Sequence, residues 1–272
     1  LQNASIMNGA QTRGVLRKFL SEKDNPEVLV KVEIIVSQDK ELFEDISVAR
    51  NQQNKVRPIS IAGKKGLLNE LDKVTTDAEL RLDESQKDRW DTEKLIQLIF
   101  ASMPKEIWLS AFPSRTKYWD KSLVYSSKTT MFNKFTEISQ NKESNEMVYQ
   151  YFLDVANDVI KFYSHIQSNK PNLTAIMDQE NFVKNGYRIN SKTKTVTILD
   201  GFIFPIFALS SLFVEIKDNK YHFPILSDGI FKSLSKLIMN YSGVQDHGNV
   251  QTLGKKSVTY ASAYDFAVLY KD

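Results

Sequence analysis

Two polar stretches near the start of the chain carry residue types suited to binding. In Ile6-Met7-Asn8-Gly9-Ala10-Gln11-Thr12-Arg13, a turn pair stands directly before a run with helical spacing. Glycine lets backbone turn sharply and approach a ligand closely. The helix that follows offers free amides and the positive end of its dipole, a natural place for an anion. Asn8, Gln11 and Thr12 add neutral hydrogen-bonding groups and Arg13 adds charge. The plainer alternative is a simple turn followed by a first-turn hydroxyl. The second stretch is Arg50-Asn51-Gln52-Gln53-Asn54-Lys55-Val56-Arg57. Carboxamides donate and accept at once, so Asn51, Gln53 and Asn54 suit base edges, and Arg57 suits a phosphate. Its plainer alternative is a solvated loop at a helix end.

A third pattern imitates a divalent-metal nuclease. Asp200 precedes Glu215-Ile216-Lys217. In such enzymes two carboxylates bind magnesium and the lysine helps to position water. Strands usually separate the two acids there, whereas Phe202 to Val214 reads as a buried helix. Glu215 and Lys217 also suit an ordinary solvated hairpin edge. Cysteine chemistry is excluded outright, and other signatures are missing. With no cysteine there is no disulfide, no thiolate zinc site, no iron–sulfur cluster and no thiol nucleophile. The three histidines, His165, His222 and His247, lack metal-motif spacing. Ala62-Gly63-Lys64-Lys65-Gly66 lacks phosphate-loop spacing, and no dinucleotide fingerprint or serine elbow occurs. No cofactor is expected. Tyr118-Trp119 and Tyr163 could stack on bases, although aromatics beside apolar runs usually fill a core.

The elements that must hold these groups follow from periodicity. Residues 1–75 read as a small α/β lobe. It has a strand before Asn8, a helix over Ala10–Leu20 with Val15, Leu16, Phe19 and Leu20 on one side, and a β-rich Val28–Val36. A helix from Asp39 to Ala49 follows, then one capped by Ser60. The polar stretch from Thr75 to Trp90 is a boundary or a long excursion. Residues 76–272 read as a helix-rich region with hairpins. Helices are expected over Asp91–Met103, after Pro104, over Ser144–Gln167, over Phe202–Val214 with Pro205 in the first turn, and from Asp228 to Tyr241. Hairpins are expected over Gly186–Leu199 and around Asp218-Asn219. The tail from Gln245 reads as irregular until Tyr264–Tyr270. The fold class is α+β.

The 272 residues, 42 % hydrophobic and 25 % charged, describe a globular chain with enough apolar surface for a sizeable core. The net charge of +3 permits a nucleic-acid partner without demanding one. Phe202–Val214, the longest apolar stretch, is shorter than the roughly 20 residues that span a bilayer. No membrane partner is expected, and the absence of cysteine fits the cytoplasm.

Asn8-Gly9-Ala10-Gln11-Thr12, the β-rich Val28–Val36 and Arg50-Asn51-Gln52-Gln53-Asn54, in that order, resemble the AIPR family of abortive phage infection proteins. The resemblance is clear over residues 1–75. It implies bacterial antiphage defence and contact with nucleic acid, and it supplies no catalytic residue. Family members carry sequence upstream of this turn, and the chain begins at Leu1, so a C-terminal part of a longer chain is expected. The sequence therefore points to a non-catalytic defence protein binding nucleic acid or a phage-derived ligand. Asn8, Gly9, Gln11, Thr12 and Arg13 form the primary site, with Asn51, Gln53, Asn54 and Arg57 as its second wall. The alternatives are the nuclease of Asp200, Glu215 and Lys217, and a protein–protein module docking to the upstream region or to a second protomer.

Overall fold

Glycine 9 is followed by residues with good helix propensity, and a helix begins at the next position. The computed structural model describes residues 10–22, 28–29, 57–168, 187–193, 196–223 and 250–268. The chain divides into two compact units, Leu1–Arg57 and Pro58–Asp272. In the first, α1 spans Ala10–Glu22. Val15 and Leu20, expected on its apolar side, are 70 % and 51 % exposed. The expected strand before Asn8 and the helix over 39–49 lie outside the described residues, as does Val28–Val36 beyond its first two residues.

The second unit begins with α2 (Pro58–Lys64) and α3 (Asn69–Val74). Proline suits the first turn, where its missing N–H costs nothing. Ser60 does not cap α2. It lies inside the helix, 2 % exposed, and its Oγ accepts from the Glu84 amide at 3.0 Å. The polar stretch 75–90 is an excursion folded onto this unit. Leu80 is wholly buried, its amide donates to Asp72 Oδ1, and it bridges to Trp90.

Next come α4 (Thr92–Ala101), α5 (Lys105–Ala111), α6 (Ser122–Ser126) and α7 (Lys128–Gln140). Asp91 caps α4 by accepting from the Lys94 amide, an interaction worth about 1 kcal/mol. After a single 3₁₀ turn, α8 runs from Glu146 to Ser168. Tyr151, Val155, Val159 and Phe162 are fully buried along one stripe, whereas Met147, at its start, is 42 % exposed. Helices α4, α7 and α8 pack together.

Strands β1 (Tyr187–Ile189) and β2 (Val196–Ile198) pair antiparallel, with Arg188 opposite Thr197. Then α9 spans Asp200–Ser210, with every residue after Asp200 buried. It starts two residues earlier than its apolar run, so Pro205 falls inside the helix rather than in its first turn. Phe207 of α9 meets Phe162 edge to face at 5.0 Å and stacks with Phe223 at 5.5 Å between centroids. The second hairpin joins β3 (Glu215–Lys217) to β4 (Lys220–His222). Its turn residues Asp218 and Asn219 have φ of 51° and 60°, as a tight two-residue hairpin turn requires.

The tail departs from expectation. It holds α10 (Val250–Leu253) and α11 (Ser257–Val268), both packed on α9. Among the described residues the class is α+β, helix-dominated, with strands confined to two antiparallel hairpins. No helix among them is long and apolar enough to cross a membrane.

Candidate functional site

In the first unit, α1 starts at Ala10, so Gln11, Thr12 and Arg13 occupy its first turn directly behind Asn8-Gly9. That turn contains no acidic residue, which leaves the positive end of the helix dipole uncompensated by its own sequence. Asn8, Gly9, Asn51, Gln53 and Asn54 lie outside the described residues. Arg57 is described and exposed.

In the second unit, charged side chains gather at the N-terminal end of α4. Lys94 Nζ donates to Asp200 Oδ1 at 2.7 Å and to Tyr163 Oη at 2.8 Å. Gln167 extends the chain. Its Nε2 donates to Tyr163 Oη and to the Ile198 carbonyl, and its Oε1 accepts from the Ile198 amide. This one network ties α4, α8, β2 and α9 together. Beside it, Arg81 bridges Asp91 and Glu93 at 3.2 Å each, and Lys128 reaches the same two carboxylates at 2.7 and 3.4 Å.

Burial alone would weaken the Lys94 ammonium, but Asp200 and Tyr163 outweigh it and hold its pKa above the usual lysine range. Burial likewise opposes the Asp91 carboxylate, and Lys128, the Lys94 amide and Arg81 outweigh it and hold its pKa below the usual range. Both groups are therefore held in their charged forms. The three acids, Asp91, Glu93 and Asp200, and the three bases, Arg81, Lys94 and Lys128, compensate one another, as in a structural ion-pair network. Neither Lys94 nor Asp91 is shifted toward neutral pH, where a general acid or base works best.

The nuclease arrangement is not assembled. Asp200 sits against Lys94 and Tyr163, whereas Glu215 pairs with its neighbour Lys217 at 2.5 Å. The β3–β4 hairpin docks on α8 at Asp154, whose Oδ2 accepts from the Tyr221 amide. Asp154 and Tyr163 are about 13 Å apart along the α8 axis. No group of three or more His, Cys, Asp or Glu among the described residues is placed to hold a metal ion. The protein–protein alternative called for a large exposed apolar patch over 91–170. Among the described residues there, Met147 is the exposed large hydrophobic.

Sequence reasoning passed over one group. Lys121 is 2 % exposed, with Nζ 3.5 Å from the centroid of the Trp108 ring and 3.2 Å from the Met103 carbonyl. Burial pushes its ammonium well below the usual lysine range, against the pull of Asp120. The Trp108 indole N–H is buried without a partner among the described residues.

The family model described as AIPR protein matches residues 1–253. No curated protein and no solved structure matches the chain.

Proposed function

The chain belongs to the AIPR family, and from that premise we propose that it acts in antiphage defence by binding nucleic acid or a phage-derived ligand through its first unit. Asn8, Gly9, Gln11, Thr12 and Arg13 form the primary contact in this reading. Asn51, Gln53, Asn54 and Arg57 form the second wall. The action takes place in the bacterial cytoplasm, where phage nucleic acid is delivered.

The observation that carries the reading is the start of α1. A helix of 13 residues begins directly after Asn8-Gly9, with Gln11-Thr12-Arg13 in its acid-free first turn. Free first-turn amides and the dipole favour an anion, and a phosphodiester is one. Neutral carboxamides beside arginine add the hydrogen-bonding versatility that base edges need. The second unit, with its charges mutually paired at α4, supplies a rigid body in this reading and no reaction centre.

A phage challenge tests the proposal. Cells expressing the protein are expected to plate phage less efficiently than cells without it. The variant carrying Asn8→Ala, Gln11→Ala and Thr12→Ala is expected to lose most of that protection at an unchanged protein level. A variant that protects as well as the parent would contradict the assignment of this motif.

A further inference from the structure

The segment from Phe112 to Lys121 is a loop pinned at both ends on one side chain. Phe112 packs on Trp108 with ring centroids 4.4 Å apart, and Lys121 Nζ lies 3.5 Å from the centroid of the same ring. Between these pins, backbone turns fix the path. The Arg115 amide donates to the Phe112 carbonyl and the Asp120 amide to the Lys117 carbonyl. Tyr118 is tied to Tyr264 of α11, edge to face at 5.4 Å, with the two hydroxyls 3.1 Å apart.

What this fixed loop displays is basic and aromatic. Arg115 and Lys117 are exposed, as is Lys105 at the start of α5. None of the three makes an ion pair with a described residue, in contrast to Arg81, Lys94 and Lys128. Two of them lie over rings instead, Lys105 Nζ 5.1 Å from Tyr118 and Lys117 Nζ 5.8 Å from Trp119. Both rings are half-buried. The one acid in the loop, Asp120, turns back to accept from the Ser122 amide and hydroxyl. Glu106 and Asp265 are the neighbouring exposed acids, so the positive character belongs to the loop itself rather than to the whole face.

We propose that the loop 113–119 is a single-stranded nucleic-acid contact, with Arg115 and Lys117 on phosphates and Trp119 stacking on a base. Cations interleaved with aromatic rings are what a strand with unpaired bases requires, because each nucleotide offers one charge and one π-face. A loop held in one conformation by Trp108 and Tyr264 loses little further freedom on binding. A duplex keeps its bases stacked inside and so offers Trp119 no partner. Nucleic acid as the partner class rests on the function proposed above, whereas the loop belongs to the second unit and the α1 motif to the first.

The test is fluorescence polarisation of the intact chain with labelled single-stranded DNA and RNA oligonucleotides and a blunt DNA duplex, across a salt series. Arg115→Ala with Lys117→Ala is expected to weaken single-strand binding and to flatten the salt slope by about 1.4, two phosphate contacts' worth. Trp119→Ala is expected to weaken single-strand binding roughly fivefold to a hundredfold, leaving the slope and the duplex affinity unchanged, and Trp119→Phe to restore most of the loss. Circular dichroism melts check that each variant is folded. Unchanged single-strand affinity in the loop variants would overturn the proposal. So would equal losses on single strand and duplex with Trp119→Ala silent. An Arg13→Ala, Arg57→Ala variant separates the two readings. If it alone loses binding, the loop proposal fails and the α1 reading stands. If only the loop variants lose binding, the reverse holds. No binding by the parent chain at low salt would overturn the loop proposal and leave the α1 motif with a phage-derived ligand alone.

Discussion

Alanine at position 63 is expected to destabilise the larger unit by about 3 kcal/mol or more, which for a unit of this size lowers the thermal midpoint by roughly 6–12 °C. A Cβ added to Gly63 would sit 2.1 Å from the Leu82 carbonyl oxygen and 3.0 Å from its carbonyl carbon. A flexible side chain could move aside, but a backbone carbonyl held on both flanks cannot. The Leu82 amide donates to Gln86 Oε1, the Arg81 carbonyl accepts from Thr92 Oγ1, and Leu80 is bridged to Trp90. Relief therefore requires prying α2 from the excursion and exposing Ile59 and Leu80, both fully buried. Gly14 is the control. It stands in α1 with nothing within 4 Å of its would-be Cβ, so Gly14→Ala should strengthen the helix by up to about 1 kcal/mol. The check is a pair of thermal melts followed by circular dichroism. A Gly63→Ala midpoint equal to the parent's would show that α2 does not close on Leu82.

Lys121→Met is expected to stabilise the protein by about 1–4 kcal/mol near neutral pH, the range seen when buried ionic groups are replaced by well-packed apolar ones. An ammonium has three donors. That of Lys121 has one carbonyl acceptor, Met103, and the face of Trp108. The charged form is therefore poorly compensated, and burial lowers its pKa in the folded state. The sign of the pH effect follows. Between that lowered value and the unfolded value of about 10.4, the unfolded chain binds more protons, so stability rises with pH at up to about 1.4 kcal/mol per unit. Below the lowered value the contribution is flat, and the penalty is fully present. Burial raises the pKa values of Tyr151 and Tyr260, which act in the opposite direction above pH ~10. Denaturant unfolding from neutral pH up to the onset of tyrosine titration isolates the lysine. The parent should gain stability over that range relative to Lys121→Met. Parallel stability curves for the two proteins would refute the assignment.

Local signals in the sequence located most of the elements that were expected. Asp91 announced the start of α4, Pro104 the start of α5, and the three-and-four spacing of Tyr151, Val155, Val159 and Phe162 the long helix α8. Asp218-Asn219 marked a hairpin turn because few residue pairs tolerate two successive positive φ values. Where apolar residues do not form a stripe, the reading failed. Ser257–Val268 interleaves hydroxyl and apolar residues around the whole helix, so α11 passed for an irregular tail. Pro205 suggested a first turn, yet Asp200-Gly201 extend α9 backwards from it. Ser60 has the side chain of a cap and the position of a buried hydrogen-bond acceptor. The helix over 128–140 did carry a signal, Met131, Phe132, Phe135 and Ile138, which the reading passed over.

The candidate sites divide in the same way. The start of α1 was legible because the turn pair Asn8-Gly9 stands directly before contiguous helical spacing. The Lys94–Asp200–Tyr163 network was not, since its members come from α4, α9 and α8 and meet only through packing. Asp200 read as a metal ligand from its spacing to Glu215, and tertiary structure gave it a lysine instead. Lys121 carries no signal in the sequence, because lysine is usually solvated, and only the fold shows it against Trp108. Tyr118 and Trp119 were noticed as rings. Their pinned loop, with Arg115 and Lys117 displayed on it, is a property of the folded chain.

We propose nucleic acid as the first ligand to try on the polar motif at the start of α1 and its second wall, and the salt dependence of binding is the readout. Labelled single- and double-stranded DNA and RNA, with magnesium present, are titrated with the parent chain and with the Arg13→Ala, Arg57→Ala variant. Log affinity of the parent is expected to fall linearly with log salt, and the variant's slope to be shallower by about 1.4–1.8. An absence of binding at low salt, or a variant with the parent's affinity and slope, would contradict nucleic acid as the ligand.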